Sequence, residues 1–106
     1  MTEHEIYESA KQKLVQWAVG HAFQQSKEGK DLSEFEKDEN GVKFVCMVLM
    51  SGDDLYPEIR ICLFANTVNE DIDMGMTITE ESDLDHIDEM FNRWMEISCT
   101  YLRTLI

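Results

Sequence analysis

The chain has 106 residues, and 22 Asp and Glu against nine Lys and Arg give a formal net charge of -13. Such a charge repels nucleic acid and anionic membrane, so we exclude direct DNA or RNA binding and expect a basic protein surface as the partner. The length predicts a single domain over residues 1–106, and the hydrophobic fraction of 43% is that of an ordinary globular protein.

The first predicted element is an amphipathic helix over residues 3–26. Apolar side chains recur there at steps of three and four, which is typical of one helix face. They are Ile6, Tyr7, Ala10, Leu14, Trp17, Ala18 and Ala22. The acidic start is unlike a signal peptide, and no apolar stretch approaches the roughly 20 residues of a membrane-spanning helix. We therefore expect a cytoplasmic protein with no membrane partner.

Residues 27–41 contain nine charged side chains and are predicted to form a solvated connector. Leu32 and Phe35 would pin this connector onto the core. Asn40-Gly41 is a turn signal at its end.

Three strands are predicted next, over residues 42–50, 58–65 and 74–80, with a turn over 51–57 between the first two. The first of these strands is apolar on both sides, so we expect it to be central and covered on both faces. The other two alternate. Their inward side chains are expected to be Ile59, Ile61, Leu63, Ala65, Met74, Met76 and Ile78.

A second long helix is predicted to start at Ser82, with Asp85 three residues later as its capping partner. Its apolar stripe is Leu84, Ile87, Phe91, Trp94, Met95, Ser98, Leu102 and Leu105, widened by Met90, Ile97 and Tyr101. The predicted fold is thus α+β. It has a three-stranded antiparallel sheet with one long N-terminal and one long C-terminal helix, in the order α-β-β-β-α.

Residues 66–89 contain nine carboxylates and no Lys or Arg. A run of one sign is either a solvated face or a surface that docks onto a basic groove. For the docking interpretation, the residues predicted to bind the partner are Asp71, Asp73, Glu80, Glu81, Asp83, Asp85 and Asp88.

The same run resembles a calcium-binding loop, because Asn69, Asp71, Asp73 and Glu80 have the spacing of EF-hand ligands. The sharp turn of that loop needs glycine where this chain has Met74, and the alternation after it predicts a strand. His86 has a carboxylate three residues away on either side, but a bundle-type metal site needs a second such helix. We therefore predict no metal and no cofactor.

No catalytic motif is present, so the chain is not predicted to be an enzyme. Cys46, Cys62 and Cys99 are too widely spaced for a zinc site, and their odd number argues against a disulfide framework. Methionine is plentiful, and apolar surface in excess of one small core is expected. A homodimer interface or a client groove would each account for it. The candidate interface residues are Met47, Trp94, Met95 and Tyr101.

Three hypotheses of function follow. The first is a small acidic inhibitor or immunity-type protein that occludes a basic, nucleic-acid-binding surface of a partner. In size and charge alone, the chain is similar to small anti-restriction, anti-CRISPR and nuclease-inhibitor proteins of phages and mobile elements. The second is an acidic, dimeric chaperone or adaptor similar to secretion chaperones, whose usual pattern has further strands and a helix. The third is an enzyme whose site is assembled from distant residues.

Overall fold

The computed structural model describes residues 2–52, 55 and 57–105, excluding the side chains of residues 103–105. The predicted turn over 51–57 therefore lies partly outside the described residues, as does the side chain of Leu105. The helices are α1 (Glu3–Gly20) and α2 (Ile87–Leu105), and a 3₁₀ segment (Glu81–His86) precedes α2. The strands are β1 (Gln24–Glu28), β2 (Leu32–Glu39), β3 (Val42–Ser51), β4 (Glu58–Asn66) and β5 (Asp71–Ile78).

The α+β class and the two long helices are confirmed, but the sheet has five strands instead of three. Its order is β1-β2-β3-β4-β5, and each neighbouring pair is antiparallel. The predicted connector is in fact β2, which pairs with β3 along its whole length. Charged residues are tolerated there because β2 lies one strand from the edge and one of its faces carries no helix. Phe35 is buried in the core, whereas Leu32, an odd number of residues away, lies on the other face.

Helix α1 ends at Gly20, six residues earlier than predicted. Phe23 N–H donates to the Ala18 carbonyl at 2.9 Å and Ala22 N–H donates to the Val19 carbonyl at 3.3 Å. These two bonds form a Schellman motif, in which the residue at C′ adopts a left-handed conformation. Here that residue is Ala22, with φ of 65°. The left-handed residue after the helix is thus an alanine, so the sequence has no glycine at C′ to indicate where the helix ends.

Both helices pack on one face of the sheet, which we call the core face. Every inward side chain predicted for β4 is buried there, and Ile78 of β5 is buried as well. The helices contact each other through Trp17 of α1, whose ring stacks on Phe91 of α2 at a centroid distance of 4.9 Å. The Trp17 Nε1–H also donates to Asn92 Oδ1 at 2.8 Å. The core therefore lies between one helix layer and one side of the sheet.

The opposite side of the sheet, which we call the open face, has no helix over it in the described part of the chain. Strand β3 is central, as predicted, but it is covered on one face only. Its core-face residues from Val42 to Val48 are buried, whereas Val45, Met47 and Leu49 on the open face are half-buried. The prediction of cover on both faces was wrong because an apolar pattern does not distinguish a strand face covered by a helix from one that is only half-buried.

Candidate binding surfaces

The open face has an apolar stripe at its centre. Cross-strand neighbours pair Val45 with Phe64, Met47 with Cys62, and Leu49 with Leu32. Cys62 is buried among these neighbours, and the others are half-buried. None of the half-buried residues belongs to the main core cluster. The stripe is thus a second apolar region, separate from the core and accessible to solvent.

Carboxylates border this stripe on both sides. One cross-strand row runs Asp73, Phe64, Val45, Glu36 from β5 to β2. Neighbouring strands are about 4.8 Å apart, so the two carboxylate positions are separated by about 14 Å with two apolar side chains between them. In the next row of cross-strand neighbours, Met47 of β3 is paired with Glu34 of β2. This surface therefore has an apolar centre and acidic margins.

Acidic side chains outnumber basic ones on the open face. The register places six carboxylates there: Glu34, Glu36, Asp38, Glu58, Asp71 and Asp73. The basic side chains on this face are Lys27, Lys43 and Arg60. Lys43 Nζ lies 3.3 Å from Glu36 Oε2, and Arg60 Nη1 lies 3.7 Å from Glu58 Oε1. Asp71 and Asp73 form no ion pair with a Lys or Arg among the described residues, and both side chains are exposed to solvent.

The seven predicted carboxylates do not form one surface. Asp71 and Asp73 lie on the open face near the start of β5. The others lie past the far end of that strand, in or beside the 3₁₀ segment and the start of α2: Glu80, Glu81, Asp83, Asp85 and Asp88. Asp71 and Ile78 are seven positions apart in an extended strand, so their Cα atoms are separated by about 23 Å. The structure thus divides the predicted patch into an open-face pair and an end group.

Asp83 of the end group caps the 3₁₀ segment. Its Oδ2 accepts the backbone N–H of Thr79 and of Glu80, each at 2.9 Å, and the Thr79 hydroxyl at 3.3 Å. The Glu80 and Thr79 N–H groups lower the pKa of this carboxyl. The cap thus begins at Glu80 with Asp83 as its partner, two residues before the predicted Ser82 and Asp85. Two N–H groups at the start of a helical segment need an acceptor, and Asp83 is the residue that reaches both.

Two other end-group carboxylates, Glu81 and Asp85, line a shallow cleft of about 650 Å³ between α1 and the 3₁₀ segment. The α1 side of this cleft is polar and is lined by Ser9, Gln12, Lys13 and Gln16. His86 lies nearby, and its Nδ1 is 3.5 Å from Glu89 Oε2. No cluster of three or more His, Cys, Asp or Glu side chains within the described residues is arranged to hold a metal ion.

The four apolar candidates also separate. Met47 is half-buried on the open face, whereas Trp94 is only 6% exposed and packs edge-to-face on Phe91. Met95 is partly buried against the core, and Tyr101 is 46% exposed on α2. Trp94 is therefore part of the core, and Met47 and Tyr101 belong to two different surfaces.

Two of the cysteine thiols are held in their neutral form. Burial raises the pKa of the Cys46 thiol to about 12. Burial also raises the pKa of Cys62, against the opposing effect of the adjacent Arg60. Neither thiol has the lowered pKa of a thiolate nucleophile.

The sequence did not indicate that one surface contains Leu32, Glu34, Glu36 and Phe64, since the first three lie on the unpredicted strand β2. The signal that points to the open face is the two-sided apolar pattern of residues 42–50. No family model, curated protein or solved structure matches the chain. In the described part of the chain, neither helix combines the length and apolar character needed to cross a membrane.

Proposed function

We propose that the chain is a cytoplasmic, non-enzymatic binding protein that uses its open face to occlude a basic surface of a partner protein. Occlusion of this kind is the mode of action of an inhibitor or immunity protein. The partner surface expected is one with apolar side chains flanked by Lys or Arg. The nucleic-acid-binding face of an enzyme is a surface of that chemistry.

The observation that supports this proposal is the row Asp73, Phe64, Val45, Glu36 on a sheet face without a helix layer. Apolar side chains at the centre of an interface contribute most of the affinity, and charges at its margin provide steering and orientation. Asp73 is available for that role because it has no Lys or Arg partner among the described residues. The net charge of -13 would accelerate encounter with a basic partner over a longer range.

A second candidate function is that of a chaperone or adaptor for an apolar client segment. The observation that favours it is the length of the stripe, which runs across β2, β3 and β4. The two unpredicted strands also bring the chain closer to the strand number of secretion chaperones than the sequence indicated. A client of this kind would contact Met47 and Leu49, and its affinity would depend less on the carboxylates.

Salt dependence separates the two functions. The immobilised protein is used to capture partners from a lysate of the source organism, or of its host if it is viral, and these are eluted with rising salt. Exposed ion pairs are screened over about 8–10 Å at physiological ionic strength, so an occluded basic partner should elute at moderate salt. A client held by the apolar stripe should stay bound in high salt and should be released by Met47→Asp.

A matched pair of variants then identifies the surface, with the purified captured protein as ligand in calorimetry. Asp71→Lys with Asp73→Lys alters the open face, and Asp85→Lys with Asp88→Lys alters the end group by the same change in net charge. We expect the open-face pair to raise Kd at least about tenfold, or 1.4 kcal/mol, and the end-group pair to change it much less. Equal losses from both pairs, or a loss confined to the end-group pair, would contradict the proposal.

A further inference from the structure

The two edges of the sheet differ in how they are protected. Edge strands expose unpaired backbone groups, and natural proteins blunt them with bulges, charged side chains (above all Lys), Pro or shortness. Strand β1 is five residues long, contains Lys27, and is interrupted by a bulge between Gln25 and Lys27. Strand β5 is eight residues long, pairs with β4 without interruption, contains neither Lys nor Pro, and is uncharged from Met74 to Ile78. The outer edge of β5 is therefore open to pairing with another strand.

An apolar strip on α2 lies on the same side of the molecule. The α1-facing side of α2 is marked by Asn92, which binds Trp17. An α-helix has about 3.6 residues per turn, which is about 100° per residue. Met90, Ile97 and Tyr101 therefore lie about 140–180° around the axis of α2 from Asn92, on the side that faces away from α1. Helix α1 packs over β3 and α2 over β4, so this strip is directed toward the β5 edge. Ile97 and Tyr101 are each 46% exposed.

We propose that two copies of the chain pair through their β5 strands, antiparallel about a two-fold axis at Gly75. The two sheets would join into one continuous sheet, and the two α2 strips would face each other across the axis. We call this the β5 edge interface. It does not depend on the partner-binding function of the open face.

The sequence of β5 is self-complementary in this register. Residues opposite each other in an antiparallel pair lie on the same face of the sheet. About Gly75, Met74 lies opposite Met76 and Ile72 lies opposite Ile78, so the apolar core-face row continues from one copy into the other. Both charged residues of β5, Asp71 and Asp73, are in its first half. Asp73 therefore lies opposite Thr77, and no carboxylate within the strand meets another.

The α2 helices would be spaced for contact through long side chains. In the joined sheet the two β4 strands are three strand spacings apart, which is about 14 Å. Directly packed helices are 8–10 Å apart, so only large side chains from both helices can close this gap. Met90, Ile97 and Tyr101 are of that size, and this gives a role to the residues that widen the apolar stripe of α2.

A second copy fits this surface better than a basic partner does. The α2 strip contains no carboxylate, and a two-fold axis requires a patch that complements itself. The open face, by contrast, presents its carboxylates to solvent and would repel a copy of itself. The β5 edge interface is apolar at its centre. Dimerisation is opposed by long-range electrostatic repulsion between two chains that each have a net charge of -13. Added salt should therefore strengthen dimerisation.

Sedimentation of the full-length protein over a range of concentrations and salt tests the proposal. We expect a species of twice the 12.4 kDa chain mass, with a dissociation constant that falls as salt rises. Ile97→Glu with Tyr101→Glu should raise that constant at least about tenfold, because buried unpaired charge is costly. Val19→Glu is the control for a carboxylate added at an exposed apolar helix position, since Val19 is 64% exposed on α1, and it should raise the constant much less. A wild-type protein that stays monomeric, or a double variant that dimerises as tightly, overturns the proposal.

Cross-linking tests the register with variants that keep the fold. In a Cys62→Ala background, Asp73→Cys with Thr77→Cys places two thiols opposite each other across the axis, at a Cα separation of about 4.5–5.5 Å. Within one chain these positions are about 13 Å apart, too far for a disulfide. Oxidation should give covalent dimers of the double variant and none of either single variant. Equal yields from the single variants would overturn the pairing about Gly75.

The two proposals can fail independently. Partner binding should weaken as salt rises and should respond to Asp71 and Asp73. Dimerisation should strengthen with salt and respond to Ile97 and Tyr101. Asp71 and Asp73 lie on β5 as well as on the open face, so the two proposals are separated by their opposite salt dependences and by Ile97→Glu with Tyr101→Glu, which leaves the open face unchanged.

Discussion

Replacement of Phe91 by alanine should lower the free energy of unfolding by about 3–5 kcal/mol, the usual cost of removing a buried aromatic ring. Phe91 is fully buried, and it stacks on Trp17 at 4.9 Å and meets the Trp94 ring edge-to-face at 5.5 Å. The cavity would open where α1, α2 and the sheet meet, so both helices and the sheet lose contacts together. Urea denaturation of the variant and the wild type at one protein concentration measures the difference.

Val19→Ala is the control for that measurement. Val19 is an apolar helix residue that is exposed, and its truncation should change stability by no more than about 0.5 kcal/mol. A Phe91→Ala variant that loses less than about 1 kcal/mol would show that the helices do not meet over the sheet as described.

Asp83→Ala should cost about 1–2 kcal/mol at neutral pH, at the upper end for a lost helix cap. The substitution leaves the N–H groups of Thr79 and Glu80 without their acceptor. Ser82→Ala is the matched control, because the Ser82 hydroxyl bonds only to Glu80 Oε2 at 3.3 Å among the described residues. If the predicted cap at Ser82 were correct, the order of the two effects would be reversed.

The Asp83 effect should depend on pH in one direction. Hydrogen bonds to the ionised carboxyl lower its pKa in the folded protein, so it contributes stability above the unfolded pKa of about 3.9. That contribution is lost as pH falls through the lower folded pKa. The difference between wild type and Asp83→Ala should therefore be constant from neutral pH to about pH 5 and should shrink in more acidic solution. A difference that grows toward low pH would contradict the capping role.

The elements with regular apolar periodicity were predictable. In β4, Ile59, Ile61 and Leu63 alternate with less apolar neighbours, and all three are buried as expected. The apolar stripe of α2 likewise faces the core at Ile87 and Phe91. Periodicity predicted these faces because each element has one side in the core and one outside it.

Strand β2 was missed because half-exposed strands near a sheet edge can be mostly charged. The available signal was Asn40-Gly41, whose φ angles of 53° and 81° are those of a tight hairpin turn. An Asn-Gly turn before β3 implies a strand on its other side. Ser33 and Phe35 alternate with charged residues, and this alternation indicates that both side chains face the core.

The candidate surface could be predicted only in part. Acidic residues 66–89 are adjacent in sequence, but an extended β5 places Asp71 and Glu80 at opposite ends of a strand. Conversely, Glu36 and Asp73 are 37 positions apart in sequence and lie in one cross-strand row. The register between strands determines which carboxylates lie on the same face of the sheet. A single sequence does not specify that register for a strand that it does not predict.

Differential carboxylate labelling of the protein alone and in complex with its captured partner tests whether the partner binds the open face. Carbodiimide coupling followed by mass spectrometry reports the accessibility of each Asp and Glu. We expect protection of Asp71, Asp73 and Glu36 on the open face, with Glu81, Asp85 and Asp88 labelled as in the free protein. Protection confined to Glu81, Asp85 and Asp88 would contradict it and would place the partner at the end group.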